Sequence, residues 1–471
     1  RIRSNSCNSM SKIEVNTIDV QCGSTLTLGS SGKTVTIACG ATTSGMGRTG
    51  AVDWCTTAKT SPFSGVNGKG YFVNTEGGAV TITLPASPSA GDIIAIKDYK
   101  GTFNQNALTI GRNGSKLNQA CNDSTRTTKN ESLTLIYVDA TVGWKSIEEG
   151  SGNVGNTFIC ASGGTKLTSG NYTAHVFTAD DTFAVNNVSN IPANNTVDYF
   201  VVAGGGGGGR GSNPQYMAGG GGAGGFRLSN DTCMSAPVTS PLANSTGITV
   251  TATNYPITIG AGGAGATTCN CKGVAGNNSV FSTITSAGGG QGGGGTGPQS
   301  TGGSGGSGGG GTSGGGGGSG NTPPVSPPQG NDGSTGPPGN NNSGGAGGGA
   351  GAAGSAPTGP NRGGDGGIGS YVDDNLFGPT APSYGTPGPV SSSRYFAGGG
   401  SGASNSPYGP GPVAGGAGGG GPGGTGNPSV PAGNGTANTG GGAGASSGAP
   451  QPSINGGAGG SGIVVIRYKS S

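Results

Sequence analysis

Short apolar runs separated by turn residues organise the first two hundred positions. Between Ile13 and Ile37 the apolar residues come in pairs (Ile13 and Val15, Ile18 and Val20, Leu26 and Leu28, Val35 and Ile37) divided by polar, Gly or Ser corners. That spacing predicts brief strands that bury too little by themselves, and hence a shaft over residues 1–47 wound with partner chains. From about Arg48 to Glu149 the runs lengthen: Tyr71 to Val73, Val80 to Leu84, Ile93 to Ile96, Leu108 to Ile110 and Leu133 to Val138. Val80, Ile82 and Leu84 alternate strictly, which buries one face and wets the other, and no helical period of ten residues competes. With Asn67-Gly68 and Asn113-Gly114 set between runs where turns need positive φ, residues 48–150 read as an antiparallel sandwich or barrel. Trp54 and Trp144 are expected as core or interface rings. A connecting β region is expected over 151–203, with strands at Ala174 to Phe177, Thr182 to Val185 and Val197 to Ala203.

The pattern then changes. Of 112 glycines, 23 lie before position 201 and 89 after it. Glycine-rich chains gain little burial to offset the entropy of ordering, so a flexible linker is the simplest reading. Three features oppose it: the length of the segment, its apolar inserts (Ile257-Thr258-Ile259, Val280-Phe281), and the closing apolar run Ile463 to Tyr468, which as a strand requires a partner. The ordered alternative is polyglycine II, an extended helix of three residues per turn without internal hydrogen bonds, whose amides must bond to neighbouring helices. Tracts such as Gly219 to Gly225, Gly314 to Gly318 and Gly416 to Gly421 suit such a lattice, since only glycine lacks the Cβ that holds backbones apart. The fold expected is therefore all-β, with a shaft, a β-sandwich-like domain, and over 204–471 a domain of stacked polyglycine II helices closed by a C-terminal strand. A collagen helix is excluded because the three-residue register of Gly330, Gly333, Gly336 and Gly339 is lost at Asn340.

On a rigid lattice the interruptions become loops, where binding residues collect. The longest, Tyr371 to Phe396, carries Tyr371, Asp373, Asp374, Phe377, Tyr384, Arg394, Tyr395 and Phe396, and with Tyr408 these are the candidate receptor-binding residues. The alternative is that the rings cap the lattice or pack against another subunit. Arg210 to Tyr216, Pro323 to Pro328 and Ser406 to Val413 are shorter candidates.

Charge and chemistry narrow the function further. The first 200 residues hold 15 Lys and Arg against 14 Asp and Glu, and the remainder 7 against 5, so neither half carries the basic footprint of a nucleic-acid binder. No apolar stretch is long enough to span a bilayer. The nine cysteines are scattered and odd in number, unlike a secreted disulfide framework, and most are expected as buried free thiols; Cys269 and Cys271 read as a loop or a local disulfide and not as a metal site. His175, the sole histidine, sits in a strand-like run and reads as structural. Without a base, elbow motif or paired carboxylates beyond adjacent pairs such as Asp180-Asp181 and Asp373-Asp374, no catalytic residue, cofactor or metal is expected. Gly29 to Thr34 fails the spacing of a phosphate loop.

Ser11 to Ile18, Gly47-Arg48-Thr49-Gly50-Ala51-Val52-Asp53-Trp54 and Gly70 to Thr75 resemble tail-fibre proteins of marine tailed phages, including those of cyanobacteria. Val197 to Gly204 and Gly460 to Tyr468 are similar to the flanks of the glycine-rich domain that ends such fibres. The resemblance implies a virion tail-fibre protein, a homotrimer attached to other tail or baseplate proteins, that touches a host surface glycan or outer-membrane protein with loops at the tip of its polyglycine domain. A secreted bacterial surface adhesin and a polysaccharide depolymerase are the rival readings.

Overall fold

A computed structural model describes residues 52–147, 157–212, 216–231, 240–268, 270–339, 342–405, 413–426, 428–448 and 454–470. The shaft expected over 1–47 lies outside these residues. Among them the helices are 3-10 turns of three to six residues, and everything else is strand, extended tract or loop.

Nine strands build the first β unit: Asp53–Lys59 (β1), Phe63–Ser64 (β2), Lys69–Val73 (β3), Val80–Thr83 (β4), Ile93–Asp98 (β5), Leu108–Gly111 (β6), Ser124–Arg126 (β7), Ser132–Asp139 (β8) and Gly143–Ser146 (β9). They form two facing sheets, ordered β1-β3-β5-β8-β9 and β2-β4-β6-β7. The expected two-layer sandwich is present, but the expected antiparallel pairing is wrong for its first half. β1, β3 and β5 pair in parallel, as do β2, β4 and β6, because the chain alternates between sheets on each pass. Gly68 (φ 84°) turns the chain from one sheet into the other and makes no hairpin. Parallel neighbours need a crossover, and here the opposing strand supplies it. Antiparallel pairs appear only at β6/β7, β5/β8 and β8/β9. The core holds the alternating residues of both sheets, among them Val73, Ile94, Leu135, Ile82 and Ile110, with Trp144 fully buried.

Trp54 takes the other environment. It is 40% exposed, lies over Gly70 where a Cβ would come within 2.6 Å of its ring, and starts an outward stripe with Phe72 (centroids 4.9 Å) and Tyr99 (6.2 Å from Phe72).

The second body begins with Cys160–Ser162 (β10), Thr165–Ser169 (β11), Tyr172–Phe177 (β12), Asp181–Asn187 (β13) and Thr196–Val202 (β14). Phe226–Ser229 (β15), Ala243–Asn244 (β16), Ile248–Thr249 (β17), Asn254–Thr258 (β18), Ser279–Phe281 (β19) and Ile284–Ser286 (β20) follow between tracts. Ser370–Asp373 (β21) and Ser393–Phe396 (β22) pair as a hairpin base, Thr425–Gly426 (β23) and Ser429–Val430 (β24) as a short ribbon, and Ile463–Lys469 (β25) ends the chain's last sheet. β25 is no edge strand. It inserts between β12 and β14, pairing Tyr172 to Phe177 with Lys469 to Val464 on one side and Asp198 to Val202 with Arg467 to Ile463 on the other. The strands before the glycine tracts and the strand after them thus share one seven-stranded sheet.

Alternation along β14 and β25 sends side chains to both faces of that sheet. Tyr199, Val201, Val464 and Ile466 meet Phe183, Ile257 and Phe281 of the sheet β10-β13-β18-β19-β20. Phe200, Val202 and Val465 meet Phe226, Val372, Phe377 and Phe396 on the opposite face. His175 lies fully buried in the first of these cores, stacked near Phe177 and Tyr468. Its Nδ1–H donates to the Gly163 carbonyl (2.6 Å) and Nε2 accepts from the Tyr468 hydroxyl (3.0 Å). Desolvation holds its pKa below the usual imidazole value, so the fold stores it neutral. The unfolded chain therefore takes up the proton first, and stability is full above about pH 6.5 and falls as pH drops below it. Thermal melts at pH 7.5 and 5.5 are expected to show a lower midpoint at 5.5, with His175→Gln flattening that difference.

Candidate functional site

The glycine half is a lattice of polyglycine II helices, and its construction is visible in one tract. Gly204, Gly207 and Arg210 donate to the carbonyls of Asn277, Val274 and Cys271 (3.0, 2.8 and 3.0 Å); Gly205 and Gly208 donate to Gly460 and Gly457; Gly206 and Gly209 donate to Gly222 and Gly219. Each neighbour is met every third residue, as a threefold helix requires. The carbonyls repeat the pattern: Gly204 and Gly207 accept from Gly289 and Gly292, Gly205 and Gly208 from Gly263 and Ala266, Gly206 and Gly209 from Ala443 and Ser446. Six tracts therefore surround this one, and every peptide group finds a partner across the lattice where none exists along the chain.

That closeness is what the glycines provide. A Cβ on any of Gly204 to Gly209 would stand 2.0–2.1 Å from a carbonyl oxygen of an adjacent tract. Alanine is admitted only at particular points such as Ala223, Ala346 and Ala443, all fully buried.

The tracts run alternately away from the seven-stranded sheet and back to it, so the lattice has two ends. Residues 203–211 leave from β14 and 456–462 return to β25. Near the sheet, Ala203 bonds Gly225, Gly225 bonds Ala287, and Ala350 bonds Ala397. At the far end, neighbouring turns touch in pairs, as where Thr296 N donates to Asn270 Oδ1 (2.6 Å). Arg210 bridges Cys271 and Ser446, Ser404 bridges Ser343 and Thr425, and Asn405 donates to the Asn342 carbonyl (3.1 Å). The Arg210 guanidinium donates to the Thr267 carbonyl (2.5 Å) and to Asn455 Oδ1 (3.1 Å), so it stitches tip loops together from a largely buried position. Tyr216, Asn270, Lys272 and Arg362 are partly exposed at this end.

The principal candidate loop from the sequence lies at the other end. Residues 370–396 lead from and return to tract ends at the sheet, and the segment folds onto that sheet's face. Phe396 contacts Phe200 (centroids 4.8 Å), Phe377 stacks on Tyr384 (4.8 Å) and Phe396 (5.8 Å), and Ser370 Oγ lies 2.7 Å from Ser240 Oγ. Phe377 and Phe396 are fully buried, Asp373 and Tyr395 nearly so, and these four are corrected from receptor contacts to packing residues. The physical reason is that the face of Phe200, Val202 and Val465 would otherwise be open to water, and this insert covers it. Tyr371, Asp374, Tyr384 and Arg394 remain half-exposed, although Arg394 is committed to carbonyls of its own insert, Nε to Tyr384 (2.6 Å) and Nη2 to Gly385 (3.0 Å). Pro323 to Pro328 also lies on the sheet side, where Gln329 accepts from Ala287 N and donates to the Pro323 carbonyl. Tyr408 lies outside the described residues. The tip residues near Asn270, Asn342 and Arg362 went unnoticed in the sequence; the signal available was the alternation of tract direction, which places every second interruption at the same end.

Four of the nine cysteines lie among the described residues. Cys121, in the first β unit, is disulfide-bonded to Cys160 at the start of the second body (Cα–Cα 5.3 Å), and among the described cysteines Cys55 and Cys271 are free. The two partners are 39 residues apart, a distance at which spacing carries no pairing signal. Among the described residues no group of three or more His, Cys, Asp or Glu is arranged to hold a metal, and no helix is long and apolar enough to cross a membrane.

No curated protein matches the chain. The glycine-rich domain family matches residues 178–469, from before β13 through β25, which is the interval over which the sheet closes around the lattice. With more than half its length in that match, the chain belongs to the glycine-rich domain family.

Proposed function

We propose that the protein is an attachment protein of the tail-fibre type, in which the polyglycine lattice is a rigid mount and the loops at its far end are the adhesive surface. The observation that carries this reading is the sidedness of the lattice: tract ends on one side are covered by sheets and the 370–396 insert, while the other side ends in a cluster of polar turns held by Arg210, Ser404 and Asn405. Loops fixed by a hydrogen-bonded lattice are pre-organised, which limits the entropy lost on binding. The resemblance of residues 11–18, 47–54 and 70–75 to marine phage fibres supports a virion location, attachment to other tail or baseplate proteins, and a host glycan or outer-membrane protein as target. A homotrimer fits this reading, since three copies would multiply weak contacts, and the stripe of exposed Trp54 and Tyr99 with half-buried Phe72 between them offers an apolar surface for assembly.

The test compares two sets of variants of the full chain, labelled and bound to a panel of marine bacterial and cyanobacterial cells. Tyr216→Ala combined with Asn270→Ala and Asn405→Ala is expected to lower cell binding at least tenfold. Tyr384→Ala with Arg394→Ala is expected to leave it intact. Loss in the second set alone would move adhesion to the insert and overturn the reading, as would retention of binding in both.

A further inference from the structure

A cleft of about 700 Å³ opens between the two β bodies, bounded on one side by the β6 and β7 region of the first and on the other by β11, β12 and the end of β25. The volume lies within the range of ligand sites, but the lining is not apolar as such sites usually are. Three cations face it, Arg112, Lys166 and Lys469, against one carboxylate, Asp123. Asp123 and Arg112 are both engaged within the first body, Asp123 Oδ1 accepting from the Arg112 backbone N–H (2.8 Å) and Arg112 Nη1 donating to the carbonyls of Gly114 (3.0 Å) and Ser115 (3.3 Å), so Lys166 and Lys469 carry the surplus. The remaining wall is mostly threonine and serine hydroxyl and asparagine amide, with Cys121 and Gly170, and Phe158 is the sole ring, with Lys469 Nζ 5.8 Å from its centroid.

We propose that this cleft is a binding site for an acidic oligosaccharide. Hydroxyls and amides match the sugar's own hydroxyls, and the surplus positive charge matches carboxylate or sulfate groups spaced along it, while Phe158 is buried beneath Lys469 and serves as the floor. Strand ends form the walls and so hold those groups at fixed spacing. Cys121 lines the cleft and its bond to Cys160 ties the two walls covalently, so the disulfide clamps the site's width. The inference is independent of adhesion at the lattice tip, which lies at the opposite end of the second body.

The experiment is calorimetric titration of the full chain with a tetrauronate, with neutral maltotetraose and with inorganic phosphate as comparison probes. The expected result is saturable tetrauronate binding that weakens with added salt, at least tenfold tighter than either comparison. Lys166→Ala with Lys469→Ala, two side chains at the surface, is expected to weaken it at least tenfold with an unchanged melting midpoint. Cys121→Ser with Cys160→Ser should also weaken it while the circular dichroism of both bodies persists. Equal binding of maltotetraose, equal binding of phosphate, no binding of the tetrauronate, or unchanged affinity in the lysine pair would each overturn the proposal. Tip variants that lose cell binding but keep tetrauronate binding would leave it standing.

Discussion

Gly207→Ala is expected to prevent the glycine-rich body from folding, whereas Gly316→Ala is expected to leave it unchanged. Both exchanges add one methyl group to a polyglycine tract. At Gly207 the new Cβ would stand 2.0 Å from the Ala264 carbonyl oxygen and 2.5 Å from its carbon, while at Gly316 nothing lies within 4 Å. Ordinary overpacking costs about 1–3 kcal/mol because side chains rotate away. Here the obstacle is backbone, and that backbone is bonded on its other side, with Val274 donating to the Ala264 carbonyl (2.8 Å). Relief would require separating tracts, and each buried amide left without a partner costs a further ~1–3 kcal/mol. The lost interactions are shared among six neighbours, so the penalty exceeds what a body of marginal stability tolerates. Intrinsic conformational preference works against this outcome, since alanine is the stiffer residue in the unfolded chain and would stabilise a site that had room for it. Gly316→Ala, which has that room, is therefore expected to keep the same fold with a gain of at most about 1 kcal/mol. Circular dichroism and limited proteolysis of the two variants check the expectation; a folded, protease-resistant Gly207→Ala protein would contradict close lattice packing.

Replacing Cys121 and Cys160 together by serine is expected to lower the unfolding free energy by about 4 kcal/mol on the chain-entropy relation for a loop of this size. Most of the effect comes from the unfolded chain, which the bond deprives of conformations, and contacts beside the disulfide replace part of it. Phe158 N donates to Asn122 Oδ1 (3.3 Å) across the same junction and would remain. Differential scanning calorimetry with and without reductant gives the measurement, and the expected sign is a lower midpoint on reduction in the native sequence and no response in the double variant. A midpoint insensitive to reductant would mean that the junction holds without the bond. The disulfide also supports the extracellular location proposed for the protein, since such bonds persist in oxidising surroundings.

Neither expectation follows from composition alone, although composition carries much of the architecture. Alternation at Val80, Ile82 and Leu84 is enough to announce a half-buried strand, because a period of two leaves one face for the core wherever that strand pairs. Runs of glycine interrupted by short apolar segments, and closed by Ile463 to Tyr468, imply an ordered lattice: a terminal strand without a partner would be costly, and residues 463–469 did find two. These inferences succeed because each depends on neighbours in sequence, on side-chain period, or on the absence of a Cβ.

What fails or stays hidden depends on partners distant in the chain. The sense of strand pairing in β1 to β6 is not written in any strand, since the same alternating residues serve parallel and antiparallel ladders, and only the passage of Gly68 from one sheet to the other selects the parallel coil. The Tyr371 to Phe396 segment has the composition of a binding loop, yet an aromatic cluster serves equally to seal an apolar face; the presence of Phe200 beneath Phe396 decides for packing. Cys121 and Cys160 are two of nine cysteines whose pairing is set by where two β bodies touch. Periodicity and glycine content fix which elements form, because those are local free energies. The direction of the tracts, the end at which each loop emerges and the cleft between the bodies are set by tertiary packing, because each compares contacts that come into being only when remote segments meet.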